Sequence, residues 1–275
     1  MKLHDGVQVY VDGKRTGGAV YAQGAQTLSA FCRHVGNVDL NSITERQVAS
    51  FLDGPRTSNV TWRKKYNLLR SFLLFWVARD ALLAAPMPPA RLPVTSTFVP
   101  YIYSRTQIRL LLANVQASQK HEACQIDGRT LRSLLLFLYG TGVLISEACR
   151  LRREDVNFKN RLMTIRSNRF NRSRDIPIGP DVYKVLWRYH LSNPRGGKMR
   201  APEFFQNKEG NALNQRTLNW TFQRLRRIAG VARHDGAIYQ PRLHDFRHTF
   251  AVHQLSTWIK HGADLNRMIP ALSAY

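Results

Sequence analysis

The chain has 275 residues, 44% of them apolar and 21% charged, which is the composition of a globular protein long enough to bury a sizeable core. Lysine and arginine number 41 against 18 aspartates and glutamates, so the formal net charge at pH 7 is +23, and a polyanion is the expected partner. The basic residues are spread along the whole chain, which favours nucleic acid over a membrane surface, because membrane-bound proteins usually concentrate positive charge in one tract.

The first 85 residues show alternating and then helical patterns. Residues 1–22 contain the stretch V-Q-V-Y-V, which predicts a small strand pair or a loose N-terminal arm. Helical periodicity begins near Gln26, and Thr44 with Gln47 forms a capping box that predicts a short helix ending near Leu52. Within residues 57–80, Tyr66, Leu69, Leu73 and Trp76 fall on one helical face and predict a longer helix. We therefore expect residues 23–85 to form a helical domain.

The longer helix also carries a basic group beside its apolar face: Arg63, Lys64, Lys65 and Arg70. Two interpretations stay open, a solvated charged face on a core helix or a helix whose N-terminal half lies against DNA phosphates. The high net charge brings the second interpretation into consideration.

Four prolines between residues 84 and 93 cannot lie in a helix, and they predict an extended linker over 86–103. A second domain follows at 104–275. Its helices are predicted to begin near Ser104, to cover 129–140, 146–152, 180–191 and 213–229, and to begin again near His244. The stretches 155–158, 162–166 and 174–178 predict short strands. The expected fold class is mainly α with a small antiparallel β-sheet.

Three segments of the second domain hold the residues that could carry chemistry: G-T-G-V-L-I-S-E at 140–147, L-M-T-I-R-S-N-R-F-N-R-S-R-D-I-P-I at 162–178, and L-H-D-F-R-H-T-F-A-V-H at 243–253. In this order they resemble the catalytic domain of the tyrosine recombinase (phage integrase) family. The helical domain before the linker resembles that family's core-binding domain, so the resemblance covers nearly the whole chain from about residue 25. It implies a helical core-binding domain and an α+β integrase-type catalytic domain.

The resemblance also implies a reaction, in which a tyrosine hydroxyl attacks a DNA phosphate and forms a phosphotyrosyl bond. Two arginines bind the phosphoryl oxygens, where negative charge grows in the transition state. A lysine on a sheet turn protonates the leaving oxygen, and histidines assist proton transfer. The phosphotyrosine preserves the bond energy, so no metal and no cofactor are expected.

The match is incomplete when it is carried over residue by residue. The position of the first arginine holds Leu144, which neither donates a hydrogen bond nor carries charge, whereas Glu147 keeps the place of the supporting carboxylate. The position of the lysine holds Arg169, which can bind phosphate but is a poor acid. His244 and Arg247 match the second histidine and the second arginine.

The end of the chain is a third difference from the pattern of the tyrosine recombinase family. The chain stops at M-I-P-A-L-S-A-Y, before the segment in which the family carries its nucleophilic tyrosine, so we expect the domain to be truncated there. Tyr275 is not expected to be the nucleophile, because its neighbours match an earlier segment and its own C-terminal carboxylate would repel a phosphate.

Further basic residues are expected to contact the DNA backbone: Arg166, Arg172 and Arg174 in the strand-turn-strand, and Arg216 on the helix 213–229. On that helix, Arg224, Arg226 and Arg227 face either solvent or phosphate. His244 and His248 have a spacing that zinc sites also use, but no third ligand stands near them, so no metal site is expected.

Two hypotheses follow, and both take double-stranded DNA as the partner and allow a homo-oligomer on DNA. The first is a DNA-binding protein of the recombinase family that cannot cleave DNA. The second is an active site-specific recombinase whose tyrosine comes from a partner subunit or from a longer natural chain. RNA binding ranks last, because the short strands lack the aromatic pattern of an RNA-recognition sheet.

The expected location is the bacterial cytoplasm, on the nucleoid and away from membranes. The three cysteines form no C-x-x-C pair, the first residues contain no apolar leader segment, and the apolar runs are too short to cross a bilayer.

Overall fold

The structure, a computed structural model, describes residues 1–17, 21–55, 57–92, 98–120, 124–166, 173–192, 201–237 and 239–273. The chain is mainly helical with a small antiparallel sheet, which confirms the predicted fold class. It divides into two compact units, Met1–Thr97 and Phe98–Tyr275. None of the helices in these ranges combines the length and apolar character that a membrane span requires.

The first unit packs a small helical core. Its elements are α1 (Leu3–Thr16), α2 (Ala22–Val35), a 3-10 turn (Leu40–Ser42), α3 (Glu45–Leu52) and α4 (Asn59–Val77). The predicted capping box opens α3, since Thr44 N–H donates to Gln47 Oε1 over 2.9 Å and Gln47 N–H donates to Thr44 Oγ1 over 3.3 Å. Aromatic side chains on α2 and α4, among them Phe31 and Phe72, are fully buried.

The prediction of a strand pair or loose arm over residues 1–22 was wrong, because α1 occupies Leu3–Thr16. Valines in V-Q-V-Y-V do alternate, but Leu3, Val7 and Tyr10 also recur at helical spacing. All three are buried in the core of the first unit. The segment is therefore helical because helix formation buries these side chains in the core. This burial outweighs the intrinsic preference of the β-branched valines for strands.

Part of the proline-rich stretch is attached to the first unit. Arg91 Nη2 donates to Asp53 Oδ1 over 2.7 Å, and the Trp62 indole N–H donates to the same carboxylate oxygen over 2.8 Å. The Arg91 guanidinium also lies over the Trp62 ring. The assignment of residues 23–85 to a core-binding domain, of 86–103 to a linker and of 104–275 to a catalytic-type domain remains a proposal.

The second unit packs several of its helices against the apolar helix α7 (Gly128–Thr141). Its helices are α5 (Arg105–Ala113), α6 (Val115–Ser118), α7 (Gly128–Thr141), α8 (Ile145–Arg150), α9 (Pro180–Ser192), α10 (Gln215–Ile228), α11 (Asp245–Lys260) and α12 (Leu265–Ser273). A 3-10 turn, Arg153–Asp155, precedes the strands β1 (Val156–Asn157), β2 (Leu162–Arg166) and β3 (Ser173–Pro177).

The sheet has the order β1-β2-β3 with antiparallel pairing throughout. Met163 lies opposite Ile176 and Ile165 lies opposite Arg174. Because side chains two residues apart point to the same face of a strand, Arg174 shares a face with the buried Ile176. The register thus turns Arg174 towards the interior of the unit.

Candidate functional site

The turn between α7 and α8 is built around Gly142. This residue has a left-handed conformation with φ of 63°, and its N–H donates to the carbonyl oxygen of Leu138 over 2.9 Å. A Cβ atom there would overlap the ring of Phe250 on α11. Only glycine combines this conformation with so close an approach of α11.

Arg247 on α11 is fixed by this turn. Its Nη1 donates to the carbonyl oxygen of Gly142 over 2.6 Å, and the side chain is half-buried. The guanidinium therefore stands beside the first residues of α8. A guanidinium carries the positive charge and the N–H donors that bind an anion such as a phosphate.

Glu147 connects α8 with the sheet. Its Oε2 accepts the backbone N–H of Leu144 over 2.9 Å at the start of α8. Arg174 Nη1 and Nη2 donate to the two carboxylate oxygens over 2.8 and 2.9 Å. Glu147 is 7% exposed, so this bidentate ion pair is largely shielded from solvent. The Leu144 side chain is 37% exposed and adds neither charge nor a donor to this group.

The pKa of the Arg247 guanidinium is affected by burial and by two nearby charged side chains, Glu147 and Arg174. Burial lowers the pKa of its guanidinium, the Glu147 carboxylate raises that pKa, and the Arg174 charge lowers it. Among the groups that the structure describes as acting on Arg247, one is a carboxylate, Glu147, and one is a second guanidinium, Arg174. Two neighbouring guanidinium groups attract an anion.

His244 stands at the N-terminus of α11, three residues before Arg247. Burial lowers the pKa of its imidazole, and His248, whose ring centroid lies 5.6 Å away, and Arg242 lower it further. The neutral imidazole is therefore favoured at pH 7. A neutral imidazole can both donate and accept a proton, as proton transfer to or from a phosphate ester requires.

The structure brings together five of the residues selected from the sequence: Leu144, Glu147, Arg174, His244 and Arg247. Arg169, Arg172 and Tyr275 lie outside the described residues. The sequence placed Arg174 against the DNA backbone, whereas the structure shows it bound to Glu147. No feature of the spacing alone indicated that pair.

Some of the other predicted DNA-contacting residues bind another residue of the chain through their side chains, and some are exposed. Arg166 binds Asp155 through Nε over 2.8 Å and also pairs with Glu154. In the first unit, Lys65 Nζ donates to the carbonyl oxygen of Phe51 over 3.3 Å and lies over its ring. The remaining predicted residues are exposed: Arg63, Lys64 and Arg70 on α4, and Arg216 on α10.

Sequence reasoning missed the residues that hold α11 in place. Asp245 is buried and accepts hydrogen bonds from the backbone N–H of Arg242 over 2.8 Å and from Arg242 Nη2 over 3.0 Å. Thr249 Oγ1 accepts the N–H of Tyr103 over 3.0 Å. An aspartate in the first turn of a predicted helix is a signal that could have identified the first of these.

A cleft of about 540 Å³ adjoins the site. It lies between α10 and the segment 239–244, and His244 forms part of its wall. Side-chain amides from α10 line the opposite wall. The cleft therefore extends the candidate site from His244 towards α10.

Comparisons with known proteins identify relatives of this chain. The sequence profile of the phage integrase family matches residues 104–268. The Sinorhizobium fredii protein y4rB, named as an integrase/recombinase, is 30% identical over 277 residues, which cover 98% of this chain and 87% of that protein. The tyrosine recombinase XerC of Staphylococcus carnosus is 27% identical over 221 residues, covering 80% of this chain and 69% of XerC.

Solved structures show the same fold. A lambda integrase dimer bound to a COC' core site superposes with a TM-score of 0.67 at 14% identity, covering 98% of this chain and 93% of that one. The Tn1549 transposon integrase in complex with circular intermediate DNA gives a TM-score of 0.67 at 18% identity, covering 100% and 91%. The family profile and the similarity to y4rB show that this chain belongs to the phage integrase family of tyrosine recombinases.

Proposed function

We propose that this protein binds double-stranded DNA through the recombinase scaffold and is impaired in strand cleavage. Leu144 carries the proposal. It opens α8 next to Glu147 and Arg247, where the resemblance expects the first phosphate-binding arginine. A leucine there removes one donor from a site that stabilises developing negative charge, and loss of one such donor costs roughly 10²–10³ in rate in other enzymes.

DNA binding does not depend on that residue. Exposed cations, among them Arg63 and Lys64 on α4 and Arg216 on α10, supply positive charge for phosphates. The solved relatives include lambda integrase bound to DNA as a dimer and as a tetramer on a Holliday junction. We extend this to a homo-oligomer of the present chain on DNA, which the mass of the protein–DNA complex in solution would test.

A second function, active recombination, is favoured by one observation. Arg174 places a guanidinium beside Glu147 and close enough to Arg247 to lower its pKa. If Arg174 released Glu147 and turned to the phosphate, it would compensate for Leu144. The nucleophilic tyrosine would then come from a partner subunit or from a longer natural chain.

The test measures DNA binding and covalent attachment separately. The purified chain is mixed with DNA flanking its own gene, and complexes are resolved on a native gel with unrelated competitor DNA and on a denaturing gel that retains phosphotyrosyl adducts. We expect a competitor-resistant complex and no adduct. An adduct from the unaltered chain would support the active recombinase instead, and binding that disappears with competitor would contradict both.

The variant Leu144→Arg tests whether the residue at position 144 limits strand cleavage. If the unaltered chain shows a weak adduct, Leu144→Arg should raise it at least ten-fold, because it restores a guanidinium to the phosphate site. Leu110→Arg, at a similarly exposed leucine on α5, is the matched control and should change the adduct little. Equal effects of the two variants would mean that added charge, and not its position, is responsible.

A further inference from the structure

The C-terminal half of α11 carries a row of polar side chains on one face. They recur at spacings of three and four residues, which brings side chains to the same side of a helix. With Arg105, the first residue of α5, they line a cavity of about 530 Å³, which we call the α5–α11 cavity. The residues of the row are His253, Ser256, Thr257, Lys260 and the C-cap His261. None of the described residues that line this cavity is acidic.

The cations of the cavity have no anionic partner within the described part of the chain. No ion pair and no side-chain hydrogen bond joins Arg105 or Lys260 to another described residue, and both are exposed. The His261 Nδ1 donates to the Thr257 carbonyl oxygen over 2.7 Å, because a carbonyl oxygen can only accept. The Nε2 atom of His261 is therefore available to a ligand, and it donates whenever the imidazole is protonated.

Helix stability does not explain the position of Arg105. It opens α5, where the positive end of the helix dipole disfavours a cation. Lys260, by contrast, lies in the last turn of α11, where the dipole favours a cation. Burial, and then the Arg105 charge, lower the pKa of the His253 imidazole, so this charge acts at the wall of the cavity. Arg105 thus adds to a concentration of positive charge that a bound anion would relieve.

The donors of the cavity suit a phosphate group better than a carboxylate. A guanidinium can bind two oxygens of either anion, but a phosphate group has a further oxygen outside that plane. The Lys260 ammonium and the Ser256 hydroxyl stand on the other helix and can donate to it. The volume falls within the range of small-molecule sites, about 300–1,000 Å³, so the cavity admits a phosphate with part of the molecule that carries it.

We propose that the α5–α11 cavity binds a phosphate group through Arg105, Lys260 and Ser256. This anion site is separate from the one at His244 and Arg247. Lys260 follows Arg247 by thirteen residues on α11, which is about 20 Å along a helix. Among the described residues, none lines both this cavity and the cleft beside His244. The phosphate belongs either to DNA or to a free anion, and the experiment separates these two sources.

The experiment is a calorimetric titration of the full chain with inorganic phosphate, at fixed pH and fixed chloride concentration, with acetate as the carboxylate control. It is made without DNA and again with saturating duplex DNA, which under the proposed function occupies the site at His244 and Arg247. Four proteins are compared: the unaltered chain, Arg105→Gln, Lys260→Gln and Arg109→Gln. Arg109 is exposed one turn further along α5, does not line the cavity, and serves as the matched control.

Without DNA, we expect the unaltered chain to bind phosphate more tightly than acetate. Arg105→Gln and Lys260→Gln should each weaken phosphate binding at one site about ten-fold, since each removes a charge-assisted hydrogen bond. Arg109→Gln should match the unaltered chain. Thermal unfolding without phosphate checks the fold, and Arg105→Gln should unfold at no lower temperature than Arg109→Gln, because it removes a cation from the first turn of α5.

The titration with DNA identifies the source of the phosphate. Phosphate binding that persists in the DNA complex and depends on Arg105 would identify a free anion as the ligand. A DNA phosphate is the ligand if saturating DNA abolishes that binding and Arg105→Gln, unlike Arg109→Gln, lowers the slope of log DNA affinity against log salt by roughly 0.9.

Two results would overturn the inference. Equal phosphate affinities and equal salt slopes for all four proteins would reject the site and leave the proposed DNA-binding function intact. Acetate binding as tight as phosphate binding would reject a site built for phosphate. If the unaltered chain binds no DNA, the proposed function fails, while the titration without DNA still tests the cavity.

Discussion

The Nη1 atom of Arg247 lies 2.6 Å from the carbonyl oxygen of Gly142, so this side chain on α11 is positioned by the backbone of the turn that precedes α8. The contact makes the conformation of that turn part of the site. A change in the turn is therefore expected to affect stability and DNA binding together.

Gly142→Ala should lower the free energy of unfolding by about 3 kcal/mol, which combines the cost of a left-handed alanine with that of the overlap with Phe250. Urea denaturation measures the change. Gly179→Ala is the control, because no atom lies within 4 Å of the added methyl group. Equal stability of the two variants would show that the turn does not constrain α11.

Glu147→Gln should lower the free energy of unfolding by about 2–3 kcal/mol, since it leaves the Arg174 charge without its carboxylate. The value is below that of a fully buried pair, because the Arg174 side chain is 29% exposed. Glu154→Gln removes a 63% exposed partner of Arg152 and Arg166 and should cost less than about 1 kcal/mol. The reverse order of the two variants would contradict the assignment of Glu147 as the central link.

Stability should fall on mild acidification because of His244. Its folded-state pKa lies below the ordinary value of 6.5, so the unfolded chain binds the proton first as the pH drops. The loss begins near pH 6.5 and ends once the pH falls below the folded-state pKa. Denaturation curves between pH 8 and 5.5 should show a shallower decline for His244→Gln, and parallel curves would refute this origin.

His253 should add to the same decline. Burial, and then the charge of Arg105, lower the pKa of its imidazole, whose Nδ1 lies 2.9 Å from the Tyr139 hydroxyl oxygen. The double variant His244→Gln/His253→Gln should therefore be less pH-dependent than His244→Gln. If the double variant falls as steeply as the single one, His253 does not contribute.

On α4, the exposed Arg63 and Lys64 should behave differently from Lys65. If Arg63 and Lys64 each bind a DNA phosphate, as predicted, Arg63→Ala and Lys64→Ala should each reduce the slope of log affinity for DNA against log salt by roughly 0.9. Lys65→Ala should leave the slope unchanged and lower stability by about 0.5–1 kcal/mol, since Lys65 contacts Phe51. A common effect of all three on the salt slope would show that Lys65 leaves Phe51 to bind DNA.

Sequence patterns predicted the elements that local chemistry specifies. The capping box at Thr44, the helices over 180–191 and 213–229, and the short antiparallel strands all follow from periodicity and capping residues, and they are present. The N-terminal helix was missed because V-Q-V-Y-V fits two periods, and only the packing of Leu3 and Tyr10 decides between them.

The candidate site could be predicted only in part. Motif matching identified Glu147, His244 and Arg247, but the partner of Glu147 depends on the pairing of β2 with β3. Alternation in S-R-D-I-P-I does place Arg174 on the face of Ile176, and an inward arginine requires an acidic partner. The acidic residue that Arg174 binds lies 27 residues away in the sequence, and the alternation within the strand does not predict it.

The pairing of Glu147 with Arg174 has a genetic consequence. Because the carboxylate is satisfied from β3, a leucine at position 144 leaves no buried charge without a partner, and the loss of an arginine there would not by itself unfold the domain. Under the proposed function, such a protein accumulates, occupies recombination sites and joins assemblies with active copies. Its allele is then expected to act dominantly over an active copy in the same cell, whereas a mutation that unfolded the chain would be recessive.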